Sequence, residues 1–240
     1  MPSQTEPGIA GAGTFSPAMA EAHNYIGWIL STFVGRIGGR ILEVGLGHGS
    51  YYPQLRPLGD YTGLDRDPAM IAAARRRFPE GQFLQADIAQ PDLSGRIGHF
   101  DSIVCLNVLE HIEDDRSAIA GLSALLNPGG HLCILTPALP LLYGDLDRLA
   151  GHHRRYTLGS MRTLLRGAGG EIVLLHYFNG LGGLGWLLNR WMRHRSLAAA
   201  GVNRQIALFD RYLVPIARAS DRLFRRWFGQ SVVCVMRSVG

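Results

Sequence analysis

Along the first 136 residues, short apolar runs alternate with segments whose apolar positions recur every three or four residues. Apolar runs of four to seven residues bounded by Gly, Asp or Asn read as strands covered on both faces, and the longer spacing reads as amphipathic helix. The pattern predicts a helix over 17–36 opening at Pro17, then strands at Ile41–Val44, Tyr61–Leu64, Gln82–Gln85, Phe100–Leu106 and His131–Leu135. Between them it predicts a short helix near Ser50–Leu55, a helix from Asp67-Pro68 to about Arg77, and a helix at Asp114–Leu126 stopped by Asn-Pro-Gly-Gly. Such alternation implies parallel βαβ units and an open, doubly wound α/β sheet. Then the rhythm changes. A loop over 136–156 leads to a helix near Thr157–Ala168, a strand at Glu171–Tyr177, a helical insertion over 178–230 and a last strand at Ser231–Met236. Residues 1–16 are rich in Gly, Pro, Ser and Ala without a basic leader region, which predicts a flexible tail before a single domain over 17–240.

Charge divides the chain differently from hydropathy. All 24 basic residues are Arg. Residues 1–150 hold 10 Arg and 16 Asp or Glu, net −6; residues 151–240 hold 14 Arg and 3 Asp or Glu, net +11. The C-terminal third is therefore suited to an anionic partner, whether an acceptor carrying phosphate or carboxylate, a membrane surface or nucleic acid; a solvated Arg-rich face accounts for the same pattern. No apolar run reaches the roughly 18 residues of a membrane span. Cys105, Cys133 and Cys234 each sit in a strand-like apolar run, with no zinc-motif spacing, and read as reduced core thiols of a cytoplasmic protein. No acid and histidine set has convincing metal-ligand spacing, so no metal is expected.

Candidate chemistry concentrates at the carboxyl ends of the predicted strands. Glu43-Val44-Gly45-Leu46-Gly47-His48-Gly49 ends the first strand in an acid and a Gly-x-Gly-x-Gly turn, where bare backbone lets a ligand approach closely. Asp65 ends the second strand 20 residues after Gly45, where a carboxylate can accept both hydroxyls of a ribose. Asp87-Ile88 follows the third strand, and Asn107-Val108-Leu109-Glu110-His111 the fourth. A dinucleotide site would more typically show Gly-x-Gly-x-x-Gly with a phosphate at the helix start; here the third Gly comes one residue early.

Taken in order, ILEVGLGHGS, YTGLDRDPAM, FLQADI, FDSIVCLNVLEHIEDD and NPGGHLCIL resemble the successive motifs of the class I S-adenosylmethionine (SAM) dependent methyltransferases over about residues 40–136. The resemblance implies a Rossmann-like, doubly wound seven-stranded sheet, mostly parallel with an antiparallel last strand, and a helical cap insertion. It implies SAM as cofactor and S-adenosylhomocysteine as product. Glu43, Gly45, Gly47 and Gly49 would hold the methionine and ribose part, Asp65 the ribose hydroxyls, Asp87 with Ile88 the adenine, and Asn107 would flank the sulfonium. Glu43 stands where the family often has Asp.

Acceptor chemistry points to the loop after the fifth strand. Tyr143, Asp147, His152, His153, Arg154, Arg155 and Tyr156 crowd into 14 residues, and the stretch resembles a subset of these enzymes with a Gly-His-x-Arg-Arg-Tyr segment. Three readings stay open there. His152 or His153 could be a general base oriented by Asp147. Arg154 and Arg155, with Tyr143 and Tyr156, could bind an anionic acceptor. The segment could also be a structural loop. Phe209, Leu213, Ile216, Leu223 and Trp227 form a candidate apolar helix stripe flanked by Arg211, Arg218, Arg222, Arg225 and Arg226, suited to a pocket-closing cap, a membrane surface or a dimer contact. The expected function is methyl transfer to a small-molecule acceptor at an oxygen nucleophile (hydroxyl, carboxylate or phosphate), with hydrophobic and lipid-linked acceptors in range and peripheral membrane contact open. The alternatives are a SAM-binding module without turnover and, less well supported, an RNA methyltransferase; the chain lacks an Asn-Pro-Pro-Tyr type motif and any known nucleic-acid module. Neither the acceptor nor the oligomeric state is legible.

Overall fold

A computed structural model describes residues 21–88, 90, 93–189 and 206–239. The predicted tail, the predicted helix start at Pro17 and the middle of the predicted insertion, 190–205, lie outside the described residues.

Seven strands form one sheet: β1 (Gly39–Val44), β2 (Gly59–Asp65), β3 (Gln82–Gln85), β4 (Phe100–Leu106), β5 (Leu126–Pro137), β6 (Gly170–Phe178) and β7 (Ser231–Ser238). Their order is β3-β2-β1-β4-β5-β7-β6. The first five pair in parallel, and β7 inserts antiparallel between β5 and β6. This is the mostly parallel seven-stranded sheet with an antiparallel last strand that the sequence leads one to expect. Around it lie α1 (His23–Ser31), α2 (Tyr52–Leu55), α3 (Pro68–Arg77), α4 (Leu93–Ile97), α5 (Asp115–Ala124), α6 (Asp145–Ala150), α7 (Leu158–Leu165), α8 (Gly180–Asn189) and α9 (Val214–Phe224). The helix starts are set locally. Asp67 caps α3 by accepting from Ala69 N–H at 2.8 Å ahead of Pro68, and Asp114 caps α5 by accepting from Ser117 N–H at 3.0 Å.

The central strands are apolar throughout because both sheet faces are covered. In β4, Ile103 and Cys105 point into a core shared with Ile119, Leu122 and Met161 of α5 and α7, while Val104 and Leu106 point into a second core with Trp28, Ile29, Leu55 and Ile71. In β7, Val232, Cys234 and Met236 join the first core and Val233 and Val235 the second. The side-chain period of two sends alternate residues to opposite faces, so an unbroken apolar run is what a doubly covered strand requires. All three cysteines are buried and unpaired in these cores, as expected.

Strand boundaries differ from expectation at β5, which takes in Asn127-Pro-Gly-Gly and so starts at Leu126. Phe100 pairs with Leu126 and Ser102 with His131, so the extra residues form an irregularity in the ladder, with Gly129 at φ +77°. The turn chemistry was legible; its incorporation into a strand depends on the neighbouring β4.

Strand order reverses between β1 and β4, the position where open α/β sheets bind ligands beyond the strand ends. The registers Val44 with Leu64, Asp65 with Gln85, Val44 with Cys105 and Cys105 with Ile134 bring the carboxyl ends of the five parallel strands into line around this reversal.

Candidate active site

Beyond the end of β1, Gly45 N–H donates to Leu64 O at 2.8 Å, extending the ladder to β2 before the chain turns away. Gly45 has φ +70°, and a Cβ there would lie 2.4 Å from Cγ2 of Val108, so only glycine lets the loop after β1 lie against the loop after β4. Gly47 also has a left-handed backbone, φ +54°, but a Cβ there would meet nothing within 4 Å. Its open side is the stretch of bare backbone that a ligand can lie against.

Asp65 sits beside this loop and is buried. Its Oδ2 accepts from Gly47 N–H at 2.9 Å and its Oδ1 from Asp67 N–H at 2.9 Å. These two bonds fix the plane of the carboxylate and leave each oxygen a further lone pair for a hydroxyl donor. Asp87 is half-buried just beyond β3, whereas Ile88 packs into the core. Glu43 is buried within β1, and Tyr61 O–H donates to its Oε2 at 2.5 Å. Burial pushes the Glu43 carboxyl up to about 8, against the opposing effect of the Tyr61 hydrogen bond.

Among the described residues, three non-glycine residues have positive φ: Asn107 at 54°, Leu139 at 61° and Asn179 at 59°. Asn107 and Asn179 directly follow β4 and β6, and Leu139 lies two residues beyond β5; the carboxyl ends of these strands share one side of the sheet. Such backbone costs about 1 kcal/mol or more at each position and tends to persist where the chain is shaped for function.

The loop after β5 folds back over the end of β4. His153 N–H donates to Glu110 O at 2.7 Å, Leu139 N–H to Tyr156 O at 2.7 Å, and Tyr156 O–H to Asp115 Oδ2 at 2.9 Å. Within it, α6 turns Asp147 inward, where it is fully buried. Asp147 Oδ1 lies 2.9 Å from His152 Nδ1 and accepts from Arg155 Nε at 2.8 Å. Its Oδ2 accepts from Arg155 Nη2 at 3.0 Å and from Gly144 N–H at 2.9 Å. Burial opposes the charge on Asp147, but the hydrogen bonds from His152 and Arg155 outweigh it and hold the carboxyl below its usual range. Arg155 is itself buried, donates to Ala138 O at 3.1 Å and lies 5.0 Å from the Trp186 ring centroid of α8.

The structure thus separates the seven candidates of this loop. Asp147 and His152 are brought together. His153 is exposed and joins the loop through its backbone N–H. Arg154 pairs with Asp115 at 2.8 Å and donates to Glu113 O at 2.6 Å. Tyr156 is a core residue, and Tyr143 O–H donates to His152 O at 2.7 Å. Arg154, Arg155 and Tyr156 therefore direct their polar groups to this chain's own acids and carbonyls, which runs against the expectation that they bind acceptor. The bidentate contact of the buried Arg155 with Asp147 commits it to that acid.

Glu110 was not among the expected site residues. It is fully buried, and neither carboxylate oxygen has a hydrogen-bond partner. Burial pushes it up to about 8, with Arg155 opposing the rise. His152 Nε2 lies 3.9 Å from its Oε1, and the His111 and His152 rings meet edge to face at 4.7 Å. Burial and the neighbouring His152 push His111 down to about 4, so it is a neutral imidazole. One ligand atom from each of Glu110, His111 and His152 fits within a span of 4.8 Å, close enough for one cation. The available signal was local: an acid and a histidine adjacent in the turn after a central strand.

With this geometry in view, comparison with known proteins is informative. Residues 42–132 match a family model described as a methyltransferase domain. An uncharacterized methyltransferase of Mycobacterium tuberculosis is 35% identical over 112 residues, covering 45% of this chain and 56% of that protein. A ubiquinone biosynthesis O-methyltransferase of Cronobacter sakazakii is 29% identical over 129 residues, 52% of this chain and 53% of that one. The chain thus spans about half the length of these relatives. Among solved structures, a SAM-dependent methyltransferase from Mesorhizobium loti superposes with a TM-score of 0.57 at 19% identity, covering 87% of this chain and 95% of that one. One from Clostridium acetobutylicum gives 0.59 at 12% identity, covering 91% and 92%. The fold is that of the SAM-dependent methyltransferases.

Proposed function

We propose that this protein is a SAM-dependent methyltransferase that methylates an oxygen nucleophile on a small-molecule acceptor. The matched methyltransferase domain and the fold support the cofactor. The site fits it: bare backbone at Gly47 is open, and Asp65 is held with lone pairs to spare for ribose hydroxyls. Asp87 would serve the adenine amino group, and the half-strained Asn107 at the end of β4 would flank the sulfonium. Bound SAM supplies an electrophilic methyl group. The three reduced core thiols fit a cytoplasmic setting.

The observation that carries the acceptor chemistry is the Asp147–His152 pair. Asp147 fixes the tautomer with the proton on Nδ1, which leaves the Nε2 lone pair to take a proton from an acceptor hydroxyl as its oxygen attacks. Arg155 is a positioning residue: its two bonds to Asp147 hold the carboxylate that holds the histidine. Arg154 and Tyr156 fasten the loop to the start of α5. Several relatives are named ubiquinone biosynthesis O-methyltransferases, which supports oxygen as the acceptor atom. Hydrophobic acceptors fit a site bordered by Trp186 and the Gly-rich α8.

Calorimetric titration with SAM, S-adenosylhomocysteine and NAD tests the cofactor. Micromolar binding of both sulfur ligands and none of NAD is expected; failure of both would remove the reading. If SAM binds but a broad panel of phenols, carboxylates and lipid phosphates gives no methylated product, the chain is better described as a binding module. Turnover on RNA would overturn the small-molecule acceptor.

A second reading rests on Glu110. A divalent cation held by Glu110, His111 and His152 would satisfy the partnerless carboxylate, and Asp147 would orient His152 as carboxylates commonly orient metal-bound histidines. Loss of turnover in EDTA with recovery on adding magnesium or zinc would favour this over the free base.

A further inference from the structure

The C-terminal helix presents a face that methyl transfer does not use. Helical structure runs through a π-helical turn at Phe209–Leu213 into α9 and ends near Trp227. One face is anchored. Val214, Ala217 and Asp221 are buried, Asp210 Oδ1 accepts from Tyr25 N–H at 2.7 Å, and Asp221 Oδ1 accepts from Gly180 N–H at 3.1 Å. The outward face is apolar. Leu208, Tyr212, Ile216, Leu223 and Trp227 are all exposed, Leu223 at 71% and Trp227 at 74%. On α9 itself Ile216 and Leu223 share one face at about 100° per residue; Leu208 and Tyr212 lie before and within the π-helical turn, and Trp227 lies just past the helix end.

Beside the stripe runs a row of guanidinium groups. Arg218, Arg222 and Arg225 of the helical segment, with Arg36 from beyond α1, line a groove of about 660 Å³ against His176 of β6. A second groove of about 360 Å³ across β6 shares Arg225 and adds Arg162 and Arg226. Asp221 is the single acid lining either groove, and it is already bonded to Gly180.

We infer that this helix docks in the plane of an anionic phospholipid membrane, its apolar stripe in the acyl boundary and the Arg grooves on lipid phosphates. Charge complementarity selects this occupant. A second copy of the chain would bring two such Arg rows together, with only 3 acids against 14 Arg in residues 151–240 to compensate. An exposed Trp and Leu stripe flanked by cations is the composition of helices that lie in a lipid interface. No helix among the described residues is long and apolar enough to cross a membrane, so contact through these residues would be at the surface. The inference does not depend on methyl transfer.

Co-sedimentation of the full chain with vesicles tests it. One set is phosphatidylcholine alone and the other contains about one third phosphatidylglycerol. Partitioning at least about tenfold stronger onto the anionic vesicles is expected. Arg218→Glu/Arg222→Glu should abolish that preference. Leu223→Glu/Trp227→Glu should weaken binding to the anionic vesicles about tenfold or more with every Arg retained. These side chains are exposed, and unchanged thermal melting of the variants confirms the fold. Equal binding to both vesicle types, or none, overturns the inference. So does anionic binding that Leu223→Glu/Trp227→Glu leaves intact, which is adsorption by charge alone. A dimer in light scattering that these substitutions dissociate, without vesicle binding, assigns the face to a second copy and also overturns it.

Discussion

The two sides of the crevice are built on different principles. On the proposed cofactor side, β1 to β4 deliver backbone and carboxylates from strand ends: the Gly45–Gly49 loop directly follows β1, Asp65 is the last residue of β2, and Asp87 lies two residues beyond β3. On the proposed acceptor side, the working groups crowd into one short loop, depend on one another, and are anchored to the distant Glu110 and Asp115. Asp147 is held by Arg155, His152 by Asp147, and the whole loop by Glu110 O and Asp115. The comparison teaches that the cofactor half should tolerate change except at the groups that touch the ligand, whereas the acceptor half should fail as a unit.

The largest expected effect breaks the acceptor side alone. His152→Ala should lower turnover by about 10²–10⁴ while SAM affinity in calorimetry stays within a few fold. An equal loss of SAM affinity would show that the two sides are not separable, and a variant of full activity would remove the base. Asp147→Asn sharpens the same contrast. It should lower turnover comparably by releasing the tautomer, and should also destabilise the fold by about 3–5 kcal/mol because Arg155 is left buried without its partner. Asp65→Ala is the matching change on the cofactor side. It should weaken SAM binding about a hundredfold through lost charge-assisted bonds, and lower stability by about 1–3 kcal/mol because Gly47 N–H and Asp67 N–H lose their acceptor. Gly45→Ala comes next, costing about 1–3 kcal/mol in stability through its left-handed backbone and its approach to Val108, as read from denaturant midpoints.

A separate test concerns pH. Glu43 is raised in the folded state to about 8, so the folded protein binds a proton that the unfolded chain releases at a lower pH. Its contribution to stability is present below the ordinary carboxylate range and is lost as pH rises toward about 8. Melting temperature should therefore fall between about pH 5 and pH 8, and Glu43→Gln should flatten that slope. An unchanged slope in the variant would assign the dependence elsewhere, Glu110 being the next group to replace.

Much of the fold was legible because strands buried on both faces must be apolar throughout and their turns must be Gly- or Asn-rich. The positions of the candidate cofactor-side residues were legible for a related reason: each lies within a few residues of a strand end, so local pattern also fixes where it sits. Glu110 was not legible as a site residue, since its significance lies in two oxygens without partners, a property of packing. The apolar helix stripe was half legible. Phe209 belongs to it by spacing, yet lies half-buried with its ring 6.0 Å from that of Tyr25, while Leu208 and Tyr212 face outward. The π-helical turn at Phe209–Leu213 adds a residue to the turn and shifts the phase, which regular helical spacing does not anticipate.

By itself, then, the sequence determined the doubly covered sheet, the glycine turn and the carboxylates at the strand ends, because these follow from hydrophobic period and backbone conformation over a few neighbouring residues. Tertiary structure alone decided which of two adjacent histidines meets Asp147, and turned Arg155 from a candidate ligand for substrate into the clamp on that acid. It also decided which face of the last helix stays exposed. Those outcomes depend on which side chains meet across 5 to 185 residues of chain, and burial and hydrogen-bond satisfaction settle them only once the sheet has brought the segments together.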